Sequence, residues 1–109
     1  MKFTKILVLA FSLILLGSVA VGCTGGSEAV KIGLLSPQTG PIAQYAPGFE
    51  DAAKIAISEL NETHKGDFEF ELIVMDSGCD GTQAATSAQT LIDSGVSVIV
   101  GAACSGATL

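Results

Sequence analysis

Apolar residues in this chain recur with two periods that alternate along the sequence, and this alternation restricts the fold most. Residues 30–35 form a short apolar run that ends at Ser36 and Pro37, where an extended chain turns. In residues 68–75, Phe68, Phe70, Leu72 and Val74 alternate with Glu69, Glu71, Ile73 and Met75, a period of two in which only the first half of the second face is polar. Residues 96–100 are mostly β-branched, which predicts a strand buried on both faces. Three strands are therefore predicted.

Two segments between these strands have the period of a helix. The first carries apolar residues at helical spacing on one face. The second, residues 82–94, has a shorter apolar face and Gly95 as its C-terminal stop. The first face consists of Phe49, Ala52, Ala53, Ala56, Ile57 and Leu60, and the second of Ala84, Ala88, Leu91 and Ile92.

The order strand, helix, strand, helix, strand with short connections predicts an α/β fold with parallel strands and right-handed crossovers. In the common doubly wound order the first strand lies between the other two, which gives a partial sheet of order 2-1-3. Glu69 and Glu71 make one face of the second strand polar, as expected at a sheet edge. Residues 30–109 are fewer than a typical domain contains, and their alternation of strands and helices usually continues. We therefore interpret them as the incomplete opening part of a larger fold.

The N-terminal segment has the composition of an export signal. Lys2 and Lys5 precede an apolar run over residues 6–16, and small residues follow. The run is shorter than the about 20 residues that a bilayer-spanning helix needs, so a retained transmembrane anchor is the weaker alternative. We predict a signal peptide over residues 1–22.

The three cysteines divide into one at the end of this signal and two in the exported part. Residues 20–23, Ala-Val-Gly-Cys, resemble the lipobox of bacterial and archaeal lipoproteins. That resemblance implies cleavage before Cys23 and lipid attachment to it, whereas an ordinary secretory cleavage is the alternative. Residues 23–29 are mostly small and polar and are expected to form a flexible tether.

The charge of the chain excludes one class of partner. All five basic residues are lysines, against eleven acidic residues, and the formal net charge is −6. Nucleic-acid-binding proteins use arginine and clustered positive charge to neutralise phosphates. We therefore expect no nucleic acid partner.

Ligands of an open parallel sheet bind beyond the carboxyl ends of the strands, where the strand order reverses. The loops at that point are residues 36–48 and 101–108, and neither contains a Rossmann or P-loop glycine motif. Tyr45 in the first loop is a candidate to lie over a cleft; alternatively, it packs on its own loop. Ser105 in the second loop is a candidate to bind an anion such as a carboxylate. Alternatively, Ser105 or Thr108 is only a helix N-cap.

Cys79 and Cys104 each follow a strand, so both are expected at one edge of the sheet, where a disulfide is feasible. A metal site is the weaker alternative, because no C-x-x-C motif occurs and His64 is the single histidine. The sequence also lacks a nucleophile-and-base set, which argues against an enzyme. Asp76 and Asp80 could pass for a carboxylate pair, but capping of the turn after the second strand is the preferred interpretation.

Four segments carry a family resemblance. They read Val-Lys-Ile-Gly at residues 30–33, Thr-Gly-Pro-Ile-Ala-Gln-Tyr at 39–45, Asp-Ser-Gly-Cys-Asp at 76–80 and Val-Gly-Ala-Ala-Cys-Ser at 100–105. Together they resemble the leucine/isoleucine/valine-binding proteins, which are type I periplasmic solute-binding proteins of ABC importers. The resemblance covers the exported part of the chain and corresponds to the first part of the N-terminal lobe of a two-lobed protein.

The resemblance implies roles for five residues. Cys79 and Cys104 would form a disulfide, and Ser105 would bind the α-carboxylate of the ligand through its hydroxyl and backbone N–H. Ala103 and Cys104 would line the same wall of the site. The aromatic ring of Tyr45 would border the pocket for the ligand's side chain.

The resemblance also implies a function. The protein would capture a small amino-acid-like solute, above all a branched-chain amino acid, without catalysis or cofactor, and deliver it to an ABC permease. We expect a monomer that is exported to the periplasm or cell surface and anchored there by its lipid. An extracellular ligand-sensing domain of a membrane receptor with the same fold is the alternative.

Overall fold

A computed structural model of the chain describes residues 29–108. Three strands and two long helices alternate along them: β1 (Val30–Ser36), α1 (Ala46–Thr63), β2 (Phe70–Asp76), α2 (Gly81–Asp93) and β3 (Val98–Val100). Single turns of 3-10 helix at Ala43–Tyr45 and Ser105–Ala107 follow β1 and β3. The predicted alternation of strands and helices is confirmed.

Several predictions concern residues that precede this range. The signal peptide over residues 1–22, the lipid attachment at Cys23 and most of the tether lie outside the described residues. Within residues 29–108, no helix combines the length and the apolar composition that crossing a bilayer requires. The interpretation of the N-terminal segment therefore stays a prediction.

The three strands form one parallel sheet in the order β2-β1-β3. β1 pairs with β2 along its whole length, and the ladder ends at Ser36 opposite Asp76. β3 is shorter and pairs only with residues 32–34 of β1. The predicted order and the edge position of β2 are confirmed.

One helix covers each face of the sheet, as right-handed crossovers in opposite directions require. Gly33 in β1 faces α2, since a Cβ atom built on it would lie 3.0 Å from Cδ1 of Leu91 and 3.4 Å from Ile99. The missing side chain at Gly33 therefore lets α2 approach the central strand closely. Ile32 and Leu34 alternate with Gly33 and line an apolar groove of about 250 Å³ against α1.

The most buried apolar residues lie where the strands meet the helices. They are Leu34 and Leu35 in β1, Ala46 at the start of α1, and Ala84 and Leu91 in α2. Leu91 is completely buried. Because Leu35 and Ala46 flank the loop after β1, part of the core directly supports that loop.

One prediction about burial is wrong. The composition of β3 predicts a strand buried on both faces, but Val98 and Val100 are exposed by 50% and 53%. Within residues 29–108, β3 is an edge strand that pairs only with β1. Phe49 and Ile92, which belong to the predicted apolar faces of the helices, are exposed by 42% and 56% among the same residues. A β-branched composition reflects the preference for extended backbone and does not by itself show that a second element covers the strand.

The two ends of α2 have residue types that suit their positions. Asp80 is the N-cap, and its carboxylate accepts a hydrogen bond of 2.8 Å from the backbone N–H of Gln83. Gly95 lies just beyond the helix with a φ of 78°, which glycine adopts without strain. The predicted stop at Gly95 is confirmed.

Candidate functional site

Three loops leave the carboxyl ends of the strands at one edge of the sheet. We call residues 37–45 after β1 the first site loop, residues 77–80 after β2 the second, and residues 101–108 after β3 the third. In an open parallel sheet this edge is where ligands bind. The first and third site loops contain every residue for which the sequence predicts a ligand contact.

The first site loop places Tyr45 directly before α1. The N–H of Tyr45 donates a hydrogen bond of 3.0 Å to the carbonyl oxygen of Ile42, which closes the 3-10 turn. Pro47 follows in the first turn of α1, where its missing N–H removes no helical hydrogen bond. Tyr45 is 58% exposed, so it is not buried against its own loop.

The second site loop is a tight turn with two residues in the left-handed region. Gly78 has a φ of 60° and Cys79 a φ of 54°. For a residue with a side chain this conformation costs about 1–2 kcal/mol. The N–H of Asp80 donates to the carbonyl oxygen of Ser77 at 3.1 Å and closes the turn. A disulfide then joins Cys79 to Cys104 in the third site loop, with the Cα atoms 5.3 Å apart, as predicted.

The third site loop presents Ser105 to solvent. Ser105 and Ala103 are exposed, and Cys104 between them is half-buried. The hydroxyl oxygen of Thr108 lies 2.8 Å from the carbonyl oxygen of Cys104 and holds the end of the turn. Cys104 is the N-cap of this 3-10 turn and Thr108 is its C-cap, so neither Ser105 nor Thr108 caps the start of the turn. Among the described residues, no group forms a hydrogen bond with the Ser105 hydroxyl, which is therefore available to a ligand.

Asp76, the last residue of β2, connects the first and second site loops. Its Oδ1 atom accepts hydrogen bonds from the N–H of Thr39 at 3.1 Å and from the N–H of Gly78 at 2.8 Å. Its Oδ2 atom accepts from the hydroxyl of Thr39 at 2.6 Å and from the amide of Gln83 at 2.9 Å. Partial burial raises the pKa of Asp76, but these hydrogen bonds lower it more, and the net pKa lies below the ordinary value of 3.8.

Hydrogen bonds from two further serines hold the backbone at the ends of β1 and β2. The hydroxyl of Ser87 in α2 donates to the carbonyl oxygen of Asp76 at 2.6 Å. The N–H of Ser77 donates to the carbonyl oxygen of Ser36 at 2.8 Å, which extends the ladder between β1 and β2 by one bond. The backbone beneath the first two site loops is therefore fixed by hydrogen bonds from both the sheet and α2.

Asp76 and Asp80 cap backbone N–H groups on either side of Cys79, which is the interpretation that the sequence favours over a carboxylate pair. The sequence reasoning missed Thr39 and Gln83 as partners of Asp76. Thr39 is 37 positions from Asp76, and only the approach of the two loops brings it to the carboxylate. The Thr-Gly pair at residues 39–40 signals a turn but does not identify the acceptor.

His64 is remote from the three site loops. It is the C-cap of α1, an 18-residue helix that spans about 27 Å from the first site loop. The centroid of its ring lies 6.4 Å from that of Phe68 and 5.9 Å from that of Phe70. Since it is the single histidine of the chain, no imidazole is placed to activate Ser105. Within residues 29–108, no group of three or more His, Cys, Asp or Glu side chains is placed to bind a metal ion.

Comparison with known proteins identifies the family. The family model described as "Periplasmic binding protein" matches residues 29–109. The chain belongs to this family. Residues 29–108 accordingly form part of one periplasmic binding protein lobe, and membership of the family indicates an exported protein.

Curated relatives of this periplasmic binding protein are named for the solutes that they bind. The chain is 34% identical to the leucine-, isoleucine-, valine-, threonine- and alanine-binding protein of Pseudomonas aeruginosa, over 75% of the chain and 22% of the relative. It is 29% identical to the leucine-specific-binding protein of Salmonella typhimurium, over 87% and 27%. It is 27% identical to the Leu/Ile/Val-binding protein of Escherichia coli, over 75% and 23%. The chain therefore spans about a quarter of the length of these relatives.

Proposed function

We propose that this periplasmic binding protein captures a small amino-acid-like solute, with branched-chain amino acids as the first choice, for an ABC transporter. The observation that carries the proposal is the exposed hydroxyl of Ser105, which stands at the ligand-binding edge of the sheet without a hydrogen-bond partner among the described residues. The names of the relatives support amino acids as the class of solute. Binding would be reversible and non-catalytic.

The carboxylate end of the solute would bind at the third site loop. The hydroxyl and N–H of Ser105 would donate to the α-carboxylate, and hydrogen bonds to a charged acceptor are shorter and stronger than neutral ones. The disulfide at Cys104 restrains the residue next to Ser105. A restrained loop loses less conformational freedom on binding, which favours affinity. Ala103 and Cys104 would form the wall beside the carboxylate.

The side chain of the solute would extend towards the first site loop. Tyr45 offers a large apolar ring that is mostly exposed and therefore free to cover a ligand. An aliphatic side chain gains free energy when such a ring removes it from water, at about 25 cal/mol per Å² of buried surface. This role of Tyr45 agrees with a preference for branched-chain amino acids.

The complete protein would have further parts that residues 29–108 do not include, since the chain spans about a quarter of its relatives. A second lobe would close over the solute and supply the remaining contacts. The loaded protein would deliver the solute to an ABC permease as a monomer held at the membrane by a lipid on Cys23. The periplasm or the cell surface is the corresponding location.

Titration calorimetry on the full-length protein that contains this lobe tests the proposal. A panel of the common amino acids, including leucine, isoleucine and valine, should yield at least one ligand that binds in a one-to-one ratio. Ser105→Ala should lower the affinity for that ligand about tenfold or more, because a hydrogen bond to a charged group is lost. Ser58→Ala, an exposed serine on α1, is the matched control. No heat from any amino acid, or equal affinities for Ser105→Ala and the wild type, would contradict the proposal.

Metabolic labelling tests the lipid anchor separately. Cells that express the protein are grown with a labelled fatty acid, and the protein is purified with and without the substitution Cys23→Ser. Label that depends on Cys23 supports the anchor. An unlabelled wild-type protein would rule it out without affecting the proposal for solute binding.

A further inference from the structure

We propose that Asp76 is a positioning residue for the solute site, whose carboxylate clamps the first site loop onto the second and so fixes Tyr45 relative to Ser105. The inference rests on the proposed function, because it concerns the same site. Asp76 itself would not touch the solute. Its contribution would be to hold the two sides of the site at a set distance.

Each oxygen of Asp76 accepts hydrogen bonds from two different segments of the chain. Oδ1 accepts from Thr39 in the first site loop and from Gly78 in the second. Oδ2 accepts from Thr39 again and from Gln83 in α2. Four donors thus converge on one ionised group, and hydrogen bonds to an ionised acceptor are about twice as strong as neutral ones.

The backbones of the two loops are in contact at this point. A Cβ atom built on Gly40 would overlap the carbonyl oxygen of Gly78, and Gly40 has a φ of 92°. A side chain at residue 40 would therefore both clash and strain the backbone. Gly40 therefore allows the two loops to meet, and the adjacent Thr39 joins the first site loop to Asp76 through its hydrogen bonds.

Asp76 and Thr39 are linked through the chain and the disulfide to both candidate binding residues. On one side, Cys79 follows Gly78 and is bonded to Cys104, the neighbour of Ser105. On the other, the loop continues from Thr39 through the 3-10 turn to Tyr45. Among the described residues, the bonds between Thr39 and Asp76 are the hydrogen bonds that join residues 37–45 to residues 76–80. Loss of these bonds should therefore let the first site loop shift relative to the second, while the strands beneath both loops stay paired.

Two pairs of variants in the full-length protein distinguish a role of Asp76 in positioning the binding residues from a general role in stabilising the fold. Asp76→Asn removes the charge, and Asp80→Asn makes the same change four residues away at an N-cap, a position that asparagine also suits. Thr39→Val removes the hydroxyl donor while keeping the shape of the side chain, and Thr39→Ser keeps the donor. Affinity for the best amino acid of the panel is measured at a temperature where every variant is folded. Hydrogen exchange of the Thr39 and Gly78 amides is measured without ligand.

We expect Asp76→Asn to weaken binding about tenfold and Thr39→Val about threefold to tenfold, since misplaced binding groups lose affinity even when they are intact. Thr39→Ser and Asp80→Asn should stay within about twofold of the wild type. The double variant Asp76→Asn, Thr39→Val should bind no more weakly than Asp76→Asn alone, because both substitutions break the same linkage between the loops. The Thr39 and Gly78 amides should exchange faster in Asp76→Asn.

Several results would overturn the clamp. One is an unchanged affinity in both Asp76→Asn and Thr39→Val, and another is a Thr39→Ser variant that binds as weakly as Thr39→Val. If Asp76→Asn does not fold, the Thr39 pair alone decides, because it changes one hydroxyl. A wild-type protein that binds no amino acid refutes the proposed function, and the positioning role fails with it. A wild type that binds and variants that bind equally well refute the positioning role alone.

Discussion

The side-chain amide of Asn61, near the end of α1, pairs with both backbone groups of Phe70 at the start of β2. Its oxygen accepts from the Phe70 N–H at 2.7 Å, and its nitrogen donates to the Phe70 carbonyl at 3.0 Å. Asn61 thus takes the place of a neighbouring strand residue at the free edge of β2. It satisfies polar groups that an edge strand otherwise leaves open to pairing with another chain.

Asn61→Ala should lower the free energy of unfolding by about 1–3 kcal/mol, because it leaves two partly buried backbone groups without partners. The measurement is urea unfolding of the full-length protein. Glu62→Ala, an exposed neighbour on the same helix, is the control and should change stability by less than about 0.5 kcal/mol. Equal effects of the two substitutions would show that the pairing contributes nothing.

Leu91→Ala should be among the most destabilising substitutions in α2. Leu91 is completely buried and contacts the site of the missing side chain at Gly33, so its removal leaves a cavity that costs about 2–5 kcal/mol. Ile92→Ala, one position away and 56% exposed, should cost less than about 1 kcal/mol. If thermal unfolding shows equal losses for both, the assigned exposure of Ile92 is wrong.

Removal of the disulfide should destabilise the lobe. Cys79 and Cys104 are 25 positions apart, and closing a loop of that length stabilises a fold by about 3–4 kcal/mol in the chain-entropy estimate. The double variant Cys79→Ser, Cys104→Ser should lose about that much in urea unfolding. In the denatured but unreduced exported protein, a thiol reagent followed by peptide mapping should leave Cys79 and Cys104 unlabelled. Labelling of these two cysteines would contradict the bridge.

Acid should remove part of the stability through Asp76. Its pKa is lowered in the folded protein from an ordinary value of 3.8, so its contribution is complete above about pH 5 and is lost as the pH falls through the folded pKa. The wild type should therefore exceed Asp76→Asn in free energy of unfolding by a constant amount from pH 7 to about 5. The difference should shrink below that. A difference that stays constant down to pH 2 would show that the charge of Asp76 is not the cause.

Much of the fold could be predicted from the sequence, because periodicity and crossover handedness are local or general rules. The period of two at residues 68–75 is that of a strand, whose side chains point alternately to the two faces of the sheet. The helical spacing from Phe49 to Leu60 arises because one side of the helix faces the sheet. The burial of individual side chains could be predicted less well. Val98, Val100 and Ile92 have core-type side chains, but their exposure depends on which elements cover them, and that information is not contained in the segment itself.

The sequence predicts which loops form the candidate site, but it does not predict the hydrogen bonds that hold those loops in place. The rule that ligands bind at the carboxyl ends of parallel strands selects the loops of Tyr45 and Ser105 without further knowledge. The bonds from Thr39 to Asp76 and from Asn61 to Phe70 join residues from different elements through specific loop geometry. No residue spacing encodes such pairs, because each depends on the three-dimensional approach of two segments.

Carboxylate binding by Ser105 is tested most directly with the amino acid that binds best and its amide, compared by calorimetry in the wild-type and Ser105→Ala full-length proteins. We expect the wild type to bind the amino acid at least about tenfold more tightly than the amide, because only the former offers a charged acceptor. Ser105→Ala should lose several-fold of that preference while its affinity for the amide changes little. An undiminished preference in Ser105→Ala, or equal losses for both ligands, would contradict the assignment of Ser105 to the carboxylate.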